Sequence, residues 1–259
     1  MPRLTIGMAT YGDFDGVYFT LQALRMYHDL TDVELIVVDN KGDKRLKDWI
    51  TYWGKGLIKY RLYTDVIGTT MPREMVFRFA RGEYVICLDS HVLLYPGAID
   101  RLWDGDALVH GPMMYDDNRT CVTEMKDEWR ANMWGIWGDA KDRNSLPTEP
   151  FEIWGHGLGL FGCKKEFWPG FNPEFRGFGG EEGYIHEKFR QAGRQVLCLP
   201  WMKWMHKFNH GVRYPLDVKD RIRNYIAGSE ELGTNPYPIY EHFGINLVND
   251  VTEQGVVNR

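Results

Sequence analysis

The sequence predicts an α/β protein, a single domain with a mostly parallel central sheet flanked by helices. Three observations support this. Apolar strand-like runs alternate with a helical one near the start: Leu4 to Ala9, a helix from Gly16, then Val33 to Val38. Such a βαβ unit has an almost always right-handed crossover, so both strand ends open on one rim of the sheet. Further on, Val85 to Leu88 are four apolar residues in succession, as in a strand covered on both faces of a parallel sheet. Both runs stop abruptly at polar residues, Asp39-Asn40 and Asp89-Ser90-His91. Ligands of open α/β sheets bind just past the carboxyl ends of such strands.

The elements follow in order. Leu4 to Gly12 reads as strand and loop, and Val17, Leu21, Leu24 and His28 share one face of the first helix. Residues 44–53 form a charged helix, and Ile58 to Leu62 a third strand. Thr70 is the expected N-cap of a helix with Pro72 in its first turn and Met75, Val76, Phe79 and Ala80 on its apolar face. Gly82 ends it. After the central strand, Pro96-Gly97 leads to a short helix from Ala98 to Trp103, then a strand from Ala107 to His110. Residues 115–150, rich in acids, Asn and Lys around Trp129, Trp134 and Trp137, show no firm secondary structure. They read as an acceptor-side insertion. Trp154 to Gly162 is a glycine-rich strand whose backbone a ligand can approach closely. Glu181-Glu182, behind Gly179-Gly180, open a helix with Ile185, Phe189 and Ala192 on its apolar side, ended by Gly193. Gln195 to Leu199 is the last strand, and the tail from Asn235 reads as polar and extended. Four segments result: 1–114 for nucleotide binding, 115–150 as insertion, 151–215 for sugar, metal and acceptor, and 216–259 as a C-terminal extension.

A net charge of −5 argues mildly against non-specific binding to phosphate backbones. One stretch is nevertheless basic: Lys203, His206, Lys207, His210, Arg213, Lys219, Arg221 and Arg223. The 14% aromatic content supplies flat, rigid surfaces suited to sugars or bases. Four cysteines without CxxC spacing read as reduced, buried thiols of a cytoplasmic protein. No apolar run reaches membrane-spanning length and the N-terminus is unlike a signal peptide, so no membrane association is expected.

The chemistry concentrates at strand ends. Asp89 and His91 are two apart, so on extended backbone they point the same way. A carboxylate oxygen and an imidazole nitrogen suit a divalent ion such as Mn²⁺ or Zn²⁺, which would grip the diphosphate of a nucleotide-sugar. Asp39 could accept from the N3–H of a uracil, or serve as a turn residue bonded to local backbone. Arg73 lies at a helix N-terminus, where backbone N–H groups favour an anion. The paired acids Glu181 and Glu182 are ordinary at a helix start, but the two glycines before them allow contact with a sugar's hydroxyls.

In this order the motifs resemble the nucleotide-sugar-dependent glycosyltransferases of the GT-A fold, and most closely the polypeptide N-acetylgalactosaminyltransferase catalytic domain. That family's Asp-x-His motif is present as Asp89-Ser90-His91. Its Gly-Gly-Leu-Phe strand is partly matched by Leu158-Gly159-Leu160-Phe161, and its Trp-Gly-Gly-Glu-Asn motif by Phe178-Gly179-Gly180-Glu181-Glu182. Its later metal-binding histidine corresponds to His206. The resemblance implies Mn²⁺ (or Mg²⁺) on Asp89, His91 and His206, and a UDP-sugar donor lined by Thr10, Tyr11, Asp39, Arg73 and Ser90. It places His156, Gly157 and Glu181 near the sugar. Related inverting enzymes use an acid at the position of Glu182 as catalytic base, whereas a retaining outcome leaves Glu181 and Glu182 as sugar-positioning groups. The reaction expected is transfer of a hexosyl group to an acceptor hydroxyl on a protein, a glycan or a hydroxymethylated DNA base. The alternative is a catalytically silent domain that binds a nucleotide-sugar or a partner protein.

Overall fold

Four parallel strands frame the molecule, a computed structural model that describes residues 1–54, 56–207 and 214–257. They are β1 (Leu4–Thr10), β2 (Val33–Asp39), β3 (Ile58–Leu62) and β4 (Tyr84–Asp89), in spatial order β4-β1-β2-β3. The intervening helices are α1 (Phe14–Tyr27), α2 (Lys44–Trp53) and α3 (Thr70–Phe79). Every residue of β1 is buried, which is why its sequence is apolar without alternation. The register sets Ala9 beside Asp89 and Thr10 beside Asp39. The polar ends of β1, β2 and β4 therefore finish level on one rim.

Beyond β4 the sheet becomes mixed. Leu160–Lys164 runs antiparallel to β4, followed by Leu108–His110, Val196–Cys198 and Phe151–Glu152, giving eight strands. A second sheet has five strands, among them β5 (Val92–Leu94) and Trp204–His206, paired antiparallel with His206 opposite Val92. Two further helices follow, α4 (Glu181–Gln191) and α5 (Val218–Leu232). Apolar clusters cover both faces of the large sheet.

Several expectations fail: the strand expected from Trp154 begins only at Leu160, and Trp204–His206 is a strand beyond the one expected to be last. In place of the helix expected over residues 98–103, residues 96–100 form turns, held by bonds such as Ala98 N to Tyr95 O (3.1 Å) and Asp100 N to Gly97 O (3.2 Å), and 102–103 have no regular structure. Burial of Ala98 and Ile99 explains the apolar signal there without a helix. Residues 115–150 contain strands, including the antiparallel hairpin Met125–Arg130 and Met133–Trp137. Its tryptophans pack on one another, Trp129 and Trp134 lying 4.9 Å apart between ring centroids. The tail is helical rather than extended: α6 (Tyr237–Phe243) and α7 (Ile245–Val257), separated at Gly244 (φ +84°). Ile239, Val248 and Val251 bury against Ile222 and Ile226 of α5, and that contact stabilises helices too short to form alone. Finally, Thr69 rather than Thr70 is the N-cap of α3.

The four cysteines are free and buried. Among the described residues no helix is long and apolar enough to cross a membrane. Of the basic stretch, His210 and Arg213 lie outside the described residues.

Candidate active site

A cavity of about 410 Å³ opens on the rim where β1 and β4 end. At its floor, one ligand atom each from Asp89, His91 and His206 lies within 4.8 Å of the others. Local structure brings them together. Asp89 ends β4 with its N–H donated to Gly159 O (2.9 Å). Ser90 and His91 make the turn into β5. The antiparallel partner of β5 then carries His206 back, its Nε2 3.8 Å from Asp89 Oδ2 and its ring edge-on to His91 at 4.7 Å. One carboxylate and two imidazoles form a donor set that fits Mn²⁺ or a similar divalent ion.

Arg73, buried in the first turn of α3, holds the other carboxylate oxygen. Its Nη2 lies 2.6 Å from Asp89 Oδ1, and its Nη1 3.3 Å from Glu181 Oε1. Burial alone would raise the Asp89 carboxyl, but the guanidinium and the two imidazoles hold it well below the ordinary carboxylate range. Glu181 is fully buried and also accepts a short hydrogen bond from Thr69 Oγ1. Its neighbour Glu182 instead lines the cavity. Burial and the charge of Glu181 push its carboxyl upward.

Glycines shape the walls. A Cβ on Gly157 would lie 2.7 Å from the Trp137 ring, and one on Gly159 2.8 Å from the Trp204 ring. Gly179 and Gly180, at φ +103° and +99°, turn the chain sharply into α4. At the cavity's other end Tyr11 stacks on Tyr214 (4.7 Å, 26°), with Lys41 Nζ 5.4 Å from the Tyr11 ring.

Comparison with known proteins assigns this architecture. Residues 5–165, more than half of the chain, match the family model described as glycosyl transferase family 2. The chain belongs to glycosyl transferase family 2. Among curated proteins, polypeptide N-acetylgalactosaminyltransferase 8 of Drosophila melanogaster is 23% identical over 222 residues, covering 75% of this chain and 36% of that protein. The chain thus spans about a third of that relative's length. The structure of GalNAc-T7 with UDP, GalNAc and Mn²⁺ superposes with a TM-score of 0.68 at 17% identity, covering 89% of this chain and 48% of the other. The mannosyltransferase PcManGT of Pyrobaculum calidifontis, solved with GDP-Man and Mn²⁺, gives 0.58 at 15%, covering 99% and 75%. S. aureus TarS gives 0.56 at 15%, covering 89% and 65%. The fold is GT-A.

Within this family 2 chain, Thr10, Tyr11, Arg73, Ser90, Gly157 and Glu182 line the cavity beside Asp89, His91 and His206. Three expected residues do not line it. Asp39 is fully buried and accepts from the N–H groups of Lys41 (2.9 Å), Gly42 (3.0 Å) and Asp43 (2.7 Å) and from Tyr60 Oη (2.8 Å). It therefore organises the turn after β2. His156 is buried, stacked on His110 at 5.4 Å, with its Nδ1 3.2 Å from Gly157 O. Glu181 lies behind the wall, on Arg73 and Thr69. Asp13, Trp137, Phe178 and Tyr214 also line the cavity, and sequence reasoning assigns none of them a site role. Asp13 had a legible signal, an acid just ahead of a helical pattern, and Phe178 stands in the motif Phe178-Gly179-Gly180-Glu181-Glu182. Of the described members of the basic stretch, three are engaged: Arg221 Nε donates to Phe178 O (3.0 Å), Arg223 pairs with Asp220 (2.9 Å) and Lys219 with Asp250 (3.4 Å).

Proposed function

We propose that this chain transfers a hexosyl group from a UDP-sugar to an acceptor hydroxyl, using a divalent cation (Mn²⁺ or Mg²⁺) held by Asp89, His91 and His206. The observation supporting this most directly is the convergence of those three donor atoms within 4.8 Å at the end of a central strand. The UDP, GDP-Man and Mn²⁺ named with the similar structures agree with it. When bound, the cation supplies charge stabilisation at the leaving diphosphate.

The remaining chemistry belongs to the chain. Arg73 fixes the Asp89 carboxylate so that only one of its oxygens turns toward His206. Tyr11, Tyr214 and Lys41 offer a flat face and a cation for the nucleotide. Trp137 closes over Gly157. Glu182 takes the acceptor proton as general base in an inverting transfer, and its upward-shifted carboxyl is a stronger base than an ordinary one. The buried free cysteines suit a reducing, cytoplasmic setting.

For the acceptor, a second cavity of about 280 Å³ lies between α4, α5 and the hairpin. Trp134, Trp154 and Tyr225 line it together with Asp127 and Glu187. Gly180 and Gly183, on either side of Glu181-Glu182 in the chain, line it, so the cavity adjoins the helix start that carries Glu182. Aromatic faces with carboxylates suit a glycan. The carboxylates, and the pairing of Lys219, Arg221 and Arg223, disfavour a DNA phosphate track.

The test is UDP release from a panel of UDP-sugars with and without Mn²⁺, in the presence of glycan, peptide or hydroxymethylated DNA. Asp89→Ala should abolish turnover, and Glu182→Gln should lower it by about 10²- to 10⁴-fold. Full activity of Asp89→Ala would refute the assignment.

A further inference from the structure

The turn carrying Ser90 and His91 is gripped by the start of α1. Thr20 Oγ1 donates to the carbonyls of Ser90 (3.1 Å) and Val92 (2.9 Å). Asp13, only 5% exposed, does more. Its Oδ1 caps α1 by accepting from Gly16 N (3.3 Å). Its Oδ2 accepts from Ser90 Oγ (3.0 Å) and lies 2.9 Å from His91 Nδ1. The packing leaves room for nothing larger: a Cβ on Gly16 would sit 2.2 Å from Asp13 Oδ2 and 2.7 Å from Ser90 O.

This geometry has a chemical consequence. The N-terminus of α1 favours an ionised carboxylate at Asp13. An ionised carboxylate only accepts, so the hydrogen between it and His91 sits on Nδ1. A neutral imidazole has one N–H, which leaves the lone pair on Nε2. A metal ligand needs that lone pair.

We infer that Asp13 is a positioning residue: it fixes His91 as the Nδ1–H tautomer, so that Nε2 is the nitrogen offered to the cation. The role at the metal rests on the cation-site reading above, whereas the tautomer can be measured without any metal.

Asp13→Asn separates tautomer from fold. The Asn carbonyl can still cap Gly16 N, which turns its NH₂ toward Ser90 and His91. His91 Nδ1 must then accept, and the ring hydrogen moves to Nε2. Long-range ¹H–¹⁵N spectra of the metal-free protein at pH 8 should show His91 as Nδ1–H in the wild type and Nε2–H in the variant. The Mn²⁺ dissociation constant, read by electron paramagnetic resonance, should rise about 10- to 100-fold in Asp13→Asn. Thr20→Val, which loosens the same turn without touching the ring, should keep the Nδ1–H tautomer.

An Nε2–H ring in the wild type overturns the inference, and that measurement needs no variant to fold. So does a switched tautomer in Asp13→Asn with Mn²⁺ affinity within about twofold of wild type. A wild type that shows Nδ1–H but binds no Mn²⁺ overturns the cation reading instead.

Discussion

Two carboxylates converge on Arg73, and removing its charge tests how the site is held. The Arg73 side chain is 6% exposed, with Asp89 at 2.6 Å and the fully buried Glu181 at 3.3 Å. Arg73→Met keeps an apolar stem of similar reach and removes the guanidinium. It leaves Glu181 with Thr69 but no countercharge. Breaking a buried pair by removing one partner costs about 3–5 kcal/mol. For a chain of this size that lowers the Tm by roughly 6–20 °C, at about 2–4 °C per kcal/mol. The pH dependence has a definite sign. In the wild type the Asp89 carboxyl is held well below its ordinary value, because Arg73 and the imidazoles outweigh burial. The stability this confers is present above the unfolded value and lost as pH falls through it toward the folded one. Without Arg73, burial dominates and protonation brings relief on acidification. The deficit of Arg73→Met should therefore be largest near pH 7.5 and smaller near pH 4.5. Guanidinium unfolding of wild type, Arg73→Met, Glu181→Gln and the double variant at both pH values measures it. The double variant should be more stable than the sum of the single losses by at least about 1 kcal/mol. A loss under about 0.5 kcal/mol at pH 7.5, or equal losses at both pH values, would refute the ion-pair account.

Other expectations follow from the same structure. Burial would raise Glu34, but Lys59, Thr5 and Arg81 outweigh it and draw the carboxyl down to about 2. Because Lys59 and Arg81 are partly solvated, Glu34→Gln should cost about 1–2 kcal/mol at pH 7. That cost should fade as pH drops below about 4.5, as read from denaturant midpoints. Burial lowers the histidines His110, His156 (to about 4) and His186 (to about 3). Below about pH 6.5 the unfolded chain takes up protons that the folded chain refuses, so each contributes a loss of about 1.4 kcal/mol per pH unit. A flat stability profile from pH 6.5 to 5 would contradict this. Gly159→Ala places a Cβ 2.8 Å from the Trp204 ring, two residues before His206. It should cost about 1–3 kcal/mol through overpacking and weaken Mn²⁺ binding in a titration. Unchanged affinity would show that the Trp204 strand can shift without moving His206.

The frame was legible because local pattern and fold agree there. β1, β2 and β4 are buried almost throughout, so continuous apolar runs marked them and their abrupt polar ends marked the rim, whereas β3, at the sheet edge, is half-exposed and carries Lys59 and Arg61. The Asp89-x-His91 spacing on extended backbone was readable for the same reason. The contribution of His206 was not, from spacing alone, because it depends on the antiparallel pairing of a three-residue strand with β5. Only the resemblance pointed to it. The tail helices were hidden because their apolar residues are few, and α5 supplies the burial that stabilises them. Asp39 misled because an acid at a strand end can face either a ligand or its own turn, and three backbone N–H groups decided for the turn. Asp13 was overlooked because its partners, Ser90 and His91, lie some 77 residues away.

Glu181 and Glu182 show why adjacency in sequence does not imply a shared role. Successive residues of an α-helix project about 100° apart, so the first turn of α4 cannot aim both carboxylates at one cavity. Glu181 turns inward, where Arg73 and Thr69 neutralise and anchor it. Glu182 turns to the cavity, with no described hydrogen bond to its carboxylate. Burial raises the Glu182 carboxyl most, and the inward charge adds to it: Glu181 outweighs Asp89 as the anion that pushes it further up. In the proposed reaction the two acids are a base and the group that tunes it. Arg73 joins Glu181 to Asp89, and so to the Asp89, His91 and His206 cluster. Glu181→Gln should therefore lower the Glu182 carboxyl toward its ordinary range and move the acidic limb of a kcat/KM pH profile downward. Asp127→Asn, in the second cavity, should leave that limb in place. An acidic limb that stays put in Glu181→Gln would separate the two carboxylates and remove Glu181 from the tuning role.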